Sequence, residues 1–196
     1  MTSLPVYALR SRADESVAVQ TDLEYFQTHF VGEPMAKEWT PPPLTVLNKS
    51  KRLKDFISFA LCAPTVSERA MTALKPLIGP FSEFLPLIRL KNVDYYAINV
   101  LLVVDCVDRE NSRILYSPHD PDRILTVSEY RFIELKIPDA PIFKALPWTE
   151  PFVRRDFVDC VIDNLLTNAI FRDPAVCALP LISRGQDINV VPYVPL

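Results

Sequence analysis

Apolar residues along this chain repeat with two different periods. After Ser67 they fall at Ala70, Ala73, Leu74 and Leu77, the i, i+3, i+4, i+7 spacing of one buried helical face. This spacing predicts a helix over residues 66–78. Its start, Thr65-Val66-Ser67-Glu68, fits a capping box with Thr65 as N-cap and Glu68 at the third helical position, and Ser67 competes for the cap. Gly79-Pro80 is expected to stop it. The same period returns at Phe157, Val158, Val161, Ile162 and Leu165, with Asp159, Asp163 and Asn164 facing away, and predicts a second helix over 155–166. Asp156 would complement the dipole at its start.

Elsewhere the pattern reads as extended chain. Strands are expected at residues 4–9, 44–47, 56–61, 84–90, 142–146 and 169–172, with a broken piece over 124–137. Tyr95 to Asp105 is nearly all apolar from Ala97 onward, which predicts a long central strand covered on both faces. The polar stretch Asp108 to Ser112 turns it back into Arg113–Tyr116, so these two strands are expected to form an antiparallel pair. Asp22 to Phe30 reads as a helical turn or two with Asp22 as N-cap. The predicted fold class is therefore α+β, mainly antiparallel sheet with two principal helices.

Composition narrows the function classes. A chain of 196 residues is long enough to bury a sizeable core, and residues 1–196 are expected to form one domain. Its 3 glycines are scattered, which excludes the clustered glycines of phosphate-cradling loops, whereas its 19 prolines imply short elements joined by stiff turns. Residues 1–48 hold six acids against three bases, so this acidic N-terminal segment carries the whole net charge of -3. A weakly acidic chain gives no support for nucleic-acid binding. Lys49 to Lys54 is a basic run without aromatic platforms and reads as a solvated turn. The longest strongly apolar run, Ile98 to Val104, is too short for a membrane span, and no apolar leader follows Met1, so a cytoplasmic protein is expected. Cys62, Cys106, Cys160 and Cys177 lack paired spacing. They are expected as reduced, mostly buried thiols, the alternative being disulfides in an oxidising compartment.

Candidate chemistry is sparse. His119 beside Asp120, in a proline-bounded loop, is the best acid–base pair in the chain. Asp105, Asp108 and Glu110 gather where the predicted strand meets its turn, the arrangement of a turn former more often than of a carboxylate pair at work. Asp156, Asp159 and Asp163 line one helical face and read as a solvated stripe. Trp39 and Trp148 adjoin proline-rich turns, where they would serve either packing or a partner interface.

The order of several short segments is more specific than any of them alone. Asp55-Phe56-Ile57-Ser58-Phe59 precedes a helix opening with Val66-Ser67-Glu68, and Leu85-Pro86-Leu87 follows. Tyr95-Tyr96-Ala97-Ile98-Asn99-Val100 then runs into Val104-Asp105 and the charged turn to Ser112, and Phe152 to Asp159 precedes the last helix. Together they resemble an immunity-protein family of bacterial polymorphic toxin systems. The resemblance covers residues 50–172 as a family-like core and leaves the proline-broken tail, 173–196, outside it. It implies an α+β protein that binds and neutralises a cognate toxin domain by direct contact, with no catalytic residues, cofactor or metal, no membrane and no nucleic acid; a homodimer is left open. Asp14, Glu15, Glu24, Trp39, His119 and Trp148 are the candidate partner contacts. The competing reading is a small hydrolase-like enzyme with its site near His119, Asp120, Asp105 and Asp108.

Overall fold

The computed structural model describes residues 6–13, 16–21, 29–60, 62–147 and 150–176. Thirteen strands and two α-helices are found among them. A six-stranded sheet holds β2 (Ala18–Gln20), β3 (Thr45–Leu47), β4 (Phe56–Ala60), β5 (Ala63–Ser67), β6 (Ser82–Leu90) and β7 (Val93–Val100), in the order β3-β2-β4-β5-β7-β6. A five-stranded sheet holds β1 (Tyr7–Ser11), β8 (Val103–Val104), β11 (Ile142–Ala145), β12 (Glu150–Val153) and β13 (Ala169–Arg172), in the order β13-β1-β12-β11-β8. A separate two-stranded ribbon pairs β9 (Arg113–Ser117) with β10 (Asp120–Glu129). Pairing is antiparallel except for β2 with β4 and β8 with β11. The helices are α1 (Glu68–Ile78) and α2 (Arg155–Asp163), so the structure is α+β and dominated by sheet, as the pattern predicted.

Period-2 alternation explains the layers. In β7, Tyr96, Ile98 and Val100 face one core while Tyr95 and Ala97 face another. In β12, Val153 turns to the first core and Phe152 to a third. The first core is central: Phe56, Val66, Ile98 and Val100 of one sheet meet Leu9, Ile142 and Val153 of the other, under Ala70, Leu74 and Ile78 of α1 and Phe157, Val158 and Val161 of α2. The second lies behind the six-stranded sheet, where Phe30, Met35, Trp39 and Leu44 cover it. The third lies behind the five-stranded sheet, where Tyr130, Phe132, Phe143 and Phe152 form an aromatic cluster with ring centroids 4.9–6.5 Å apart.

Several expectations need correction. The run from Tyr95 to Asp105 is not one strand: β7 ends at Val100, and Val103–Val104 pairs with β11 in the other sheet. Apolar residues suit either sheet, so the run concealed the crossing. Gly32 passes against this crossing with φ +101, and a Cβ there would overlap Val103. Arg113–Tyr116 pairs not with β7 but with β10. Thr65 lies inside β5, and Ser67 caps α1 by accepting a 3.2 Å hydrogen bond from the Ala70 amide. Gly79 ends α1 with a right-handed φ of -54, and the chain tightens into a 3₁₀ turn over Gly79–Phe81. Helix α2 stops at Asp163 rather than 166. Leu165 takes a positive φ and turns out to solvent, and Leu166 is buried in its place. The helical turn expected over Asp22–Phe30 lies outside the described residues except at its end.

Candidate protein-binding surface

Two of the fragments that carry the resemblance meet at one buried carboxylate. Asp55, at the entrance of β4, accepts hydrogen bonds from the Ser67 hydroxyl at 2.8 Å, Arg69 Nε at 3.1 Å and the Thr167 amide and hydroxyl at 2.8 Å each. Arg69 Nη2 completes a bidentate pair at 2.5 Å, and its guanidinium also donates to the carbonyls of Asn164 and Leu165. One side chain thus ties the start of β4, the cap of α1 and the chain leaving α2. Burial alone would raise the Asp55 pKa. The Arg69, Thr167 and Ser67 hydrogen bonds outweigh it and bring the value down to about 2. This clasp is a structural joint with every carboxylate oxygen occupied.

A second polar group is buried deeper. Lys144 of β11 is fully covered, donates to the Phe30 carbonyl at 2.6 Å and lies 6.0 Å from the Phe30 ring centroid. Burial lowers its pKa to about 8. Glu150 of β12 pairs with Arg10 of β1; burial raises its pKa while Arg10 and Tyr130 oppose the shift. Burial also raises the nearby Cys62 thiol. No substrate reaches a fully covered lysine, so Lys144 acts as a strut holding the Phe30 loop. Sequence reasoning passed over it, although a lysine inside Ile142-Phe143-Lys144-Ala145 was a visible signal. Cys62, Cys106 and Cys160 are free thiols, Cys106 fully buried and the other two half-buried; Cys177 lies outside the described residues.

The hydrolase-like group is not brought together. Asp105 pairs with Arg109 at 3.1 Å, and Asp108 closes its own turn by accepting from the Asn111 amide and side chain at 3.2 and 2.7 Å. The Asn111 hydrogen bonds lower the Asp108 pKa, as a turn former requires. His119 and Asp120 are exposed at the opposite end of the ribbon, where Asp120 accepts from the Asp122 amide at 3.1 Å. The five residues of β9 separate the two groups by roughly 15 Å at about 3.3 Å per residue.

Of the candidate partner contacts, Asp14, Glu15, Glu24 and Trp148 lie outside the described residues. Trp39 is half-buried, donates from Nε1 to the Pro86 carbonyl at 2.6 Å and stacks edge-on against Phe30 at 5.9 Å, so its ring fastens the 30–40 loop to β6. His119 stands at the ribbon tip. Ile114, Ile124 and Val127 face inward onto the aromatic cluster, yet Leu115, Tyr116 and Leu125 are also apolar and stay 57%, 42% and 41% exposed. No helix among the described residues is long and apolar enough to cross a membrane.

A comparison with curated proteins returned no match. The immunity protein family Imm11 matches residues 11–176, starting well before the segments that carry the resemblance in sequence and ending where the described structure ends. The match takes in both sheets, both helices, the Asp55 clasp and the ribbon. The chain belongs to the Imm11 immunity protein family.

Proposed function

We propose that this protein neutralises a cognate bacterial toxin by binding the toxin domain directly in the cytoplasm, with no chemistry of its own. The family match over residues 11–176 is the observation that carries this reading. Two features support it. Three perturbed titratable groups, Asp55, Lys144 and Glu150, are built into structural joints. The acid–base candidates of the sequence sit at opposite ends of a ribbon. The acidic N-terminal segment would speed encounter with a basic toxin surface.

Co-expression with the toxin encoded beside this chain's gene tests the reading. Growth is expected to recover, and the two proteins are expected to co-purify as a stoichiometric complex. Continued killing with no complex would sink it. Rescue with no complex would point instead to catalytic protection, and His119→Ala would then be the variant to assay.

A further inference from the structure

We propose that residues 31–38 are a preorganised loop that meets the toxin domain, offering the Glu33 and Glu38 carboxylates to basic side chains. This rests on the proposed function and names the described part of the acidic segment that performs it.

The loop lies in neither sheet, so partners for its backbone must come from elsewhere. Both sheets supply them. Lys144 of β11 donates to the Phe30 carbonyl at 2.6 Å, and Asn99 of β7 donates to the Glu33 carbonyl at 2.8 Å. Glu83 of β6 accepts from the Met35 and Ala36 amides at 2.9 and 3.3 Å and from Asn99 Nδ2 at 3.1 Å. Trp39 fastens the far end to the Pro86 carbonyl, and Gly32 lies against Val103 where the chain crosses between the sheets. Lys144 and Asn99 are both fully covered.

Covering the second core needs only the apolar side chains of Phe30, Met35 and Trp39. Buried polar side chains are costly unless bonded, and here they fix one path for the backbone between them. That path displays charge: Glu33, Lys37 and Glu38 are exposed. Seven acids among the described residues pair with arginines; Glu33 and Glu38 are not among them, and Lys37, between the two, pairs with neither. Unpaired carboxylates favour a partner with lysines and arginines at its surface. A loop that is already ordered loses little freedom when that partner docks.

The test uses the full chain and the toxin domain encoded beside its gene, with affinity by calorimetry and protection by growth. Glu33→Lys with Glu38→Lys is expected to weaken binding by about thirtyfold at an unchanged melting temperature. Association should slow several-fold at low salt, and high salt should erase that difference. Glu110→Lys with Glu134→Lys makes the same change in net charge on exposed acids elsewhere and should stay within about threefold of wild type. Glu83→Ala leaves Glu33 and Glu38 in place and frees the Met35 and Ala36 amides. It is expected to weaken binding by about tenfold. Amide exchange at Met35 and Ala36 should rise in the free variant and fall again in its complex. Glu33 and Glu38 variants that bind within about twofold of wild type, or a Glu110 and Glu134 loss as large as theirs, overturn the inference. So does a Glu83→Ala chain of lowered melting temperature and intact affinity, because the loop would then only roof the second core. A wild-type chain that neither binds nor protects overturns the proposed function and this inference with it; wild-type binding indifferent to the loop overturns the inference alone.

Discussion

The Asp55 clasp and the β9–β10 ribbon are built on opposite principles. In the clasp, a buried carboxylate is saturated by Ser67, Arg69 and Thr167, and three elements meet at one point. In the ribbon, paired strands carry three register irregularities, and the outer face shows water the Arg113–Glu129 ion pair, Thr126 and Leu115. The clasp leaves no hydrogen-bonding capacity for a partner. The ribbon spends only its inner face on folding. The short segments around Asp55 and Ser67 that announce the family therefore belong to its scaffold.

Five measurements sharpen or break this contrast. Phe152→Ala removes the aromatic side chain beneath the ribbon and is expected to cost about 3–5 kcal/mol in urea unfolding. Amide exchange should then rise further in β9 and β10 than in α1; equal changes would mean the ribbon is not a separately supported unit. Asp55→Ala strands Ser67, the Arg69 guanidinium and the Thr167 amide, and should cost about 3 kcal/mol. A loss under about 1 kcal/mol would show that the clasp is incidental.

Acid probes the clasp without truncating it. The Asp55 pKa of about 2 lies below its ordinary 3.8, so the folded state favours the ionised form. Its contribution, about 2 kcal/mol, is complete above about pH 5 and is lost as pH falls through 4 toward 2. The stability gap between wild type and Asp55→Asn should close over that range. Lys144 has the opposite charge and responds at the other end of the scale. Its folded value of about 8 lies below the ordinary 10.5, so the folded state binds fewer protons than the unfolded chain between these values. Wild type should gain stability relative to Lys144→Met as pH rises from 8 to 10.5; a flat difference would mean that the amine is not desolvated. The smallest effect is expected on the ribbon's outer face, where Leu115→Glu should change stability by less than about 0.5 kcal/mol. A large loss there would make the face part of the core.

Helix α1 was legible because its apolar spacing, polar cap and Gly79-Pro80 stop all agree. Helix α2 was legible except for its last turn, where spacing alone does not reveal that Leu165 takes a left-handed conformation. Strands β2, β5 and β12 were missed, the first short, the second hidden by a capping pattern too early in the chain and the third by its closeness to the predicted helix. Of the candidate contacts, Trp39 proved a fastener of the 30–40 loop and His119 an exposed residue at the ribbon tip. Ile114, Leu115 and Tyr116 read as a strand without revealing which side chains would find cover.

Local pattern determined what depends on neighbours in the chain: the α+β class, both principal helices, most of the strands and the ordered segments that mark an immunity protein. Tertiary structure alone decided what depends on distant partners. It split the run from Tyr95 to Asp105 between two sheets, set the ribbon apart, and brought Asp55 to Thr167 across 112 positions of chain. An apolar residue records that it will be buried, but not against what. The partners of Asp55, Lys144 and Leu115 are therefore properties of the folded molecule.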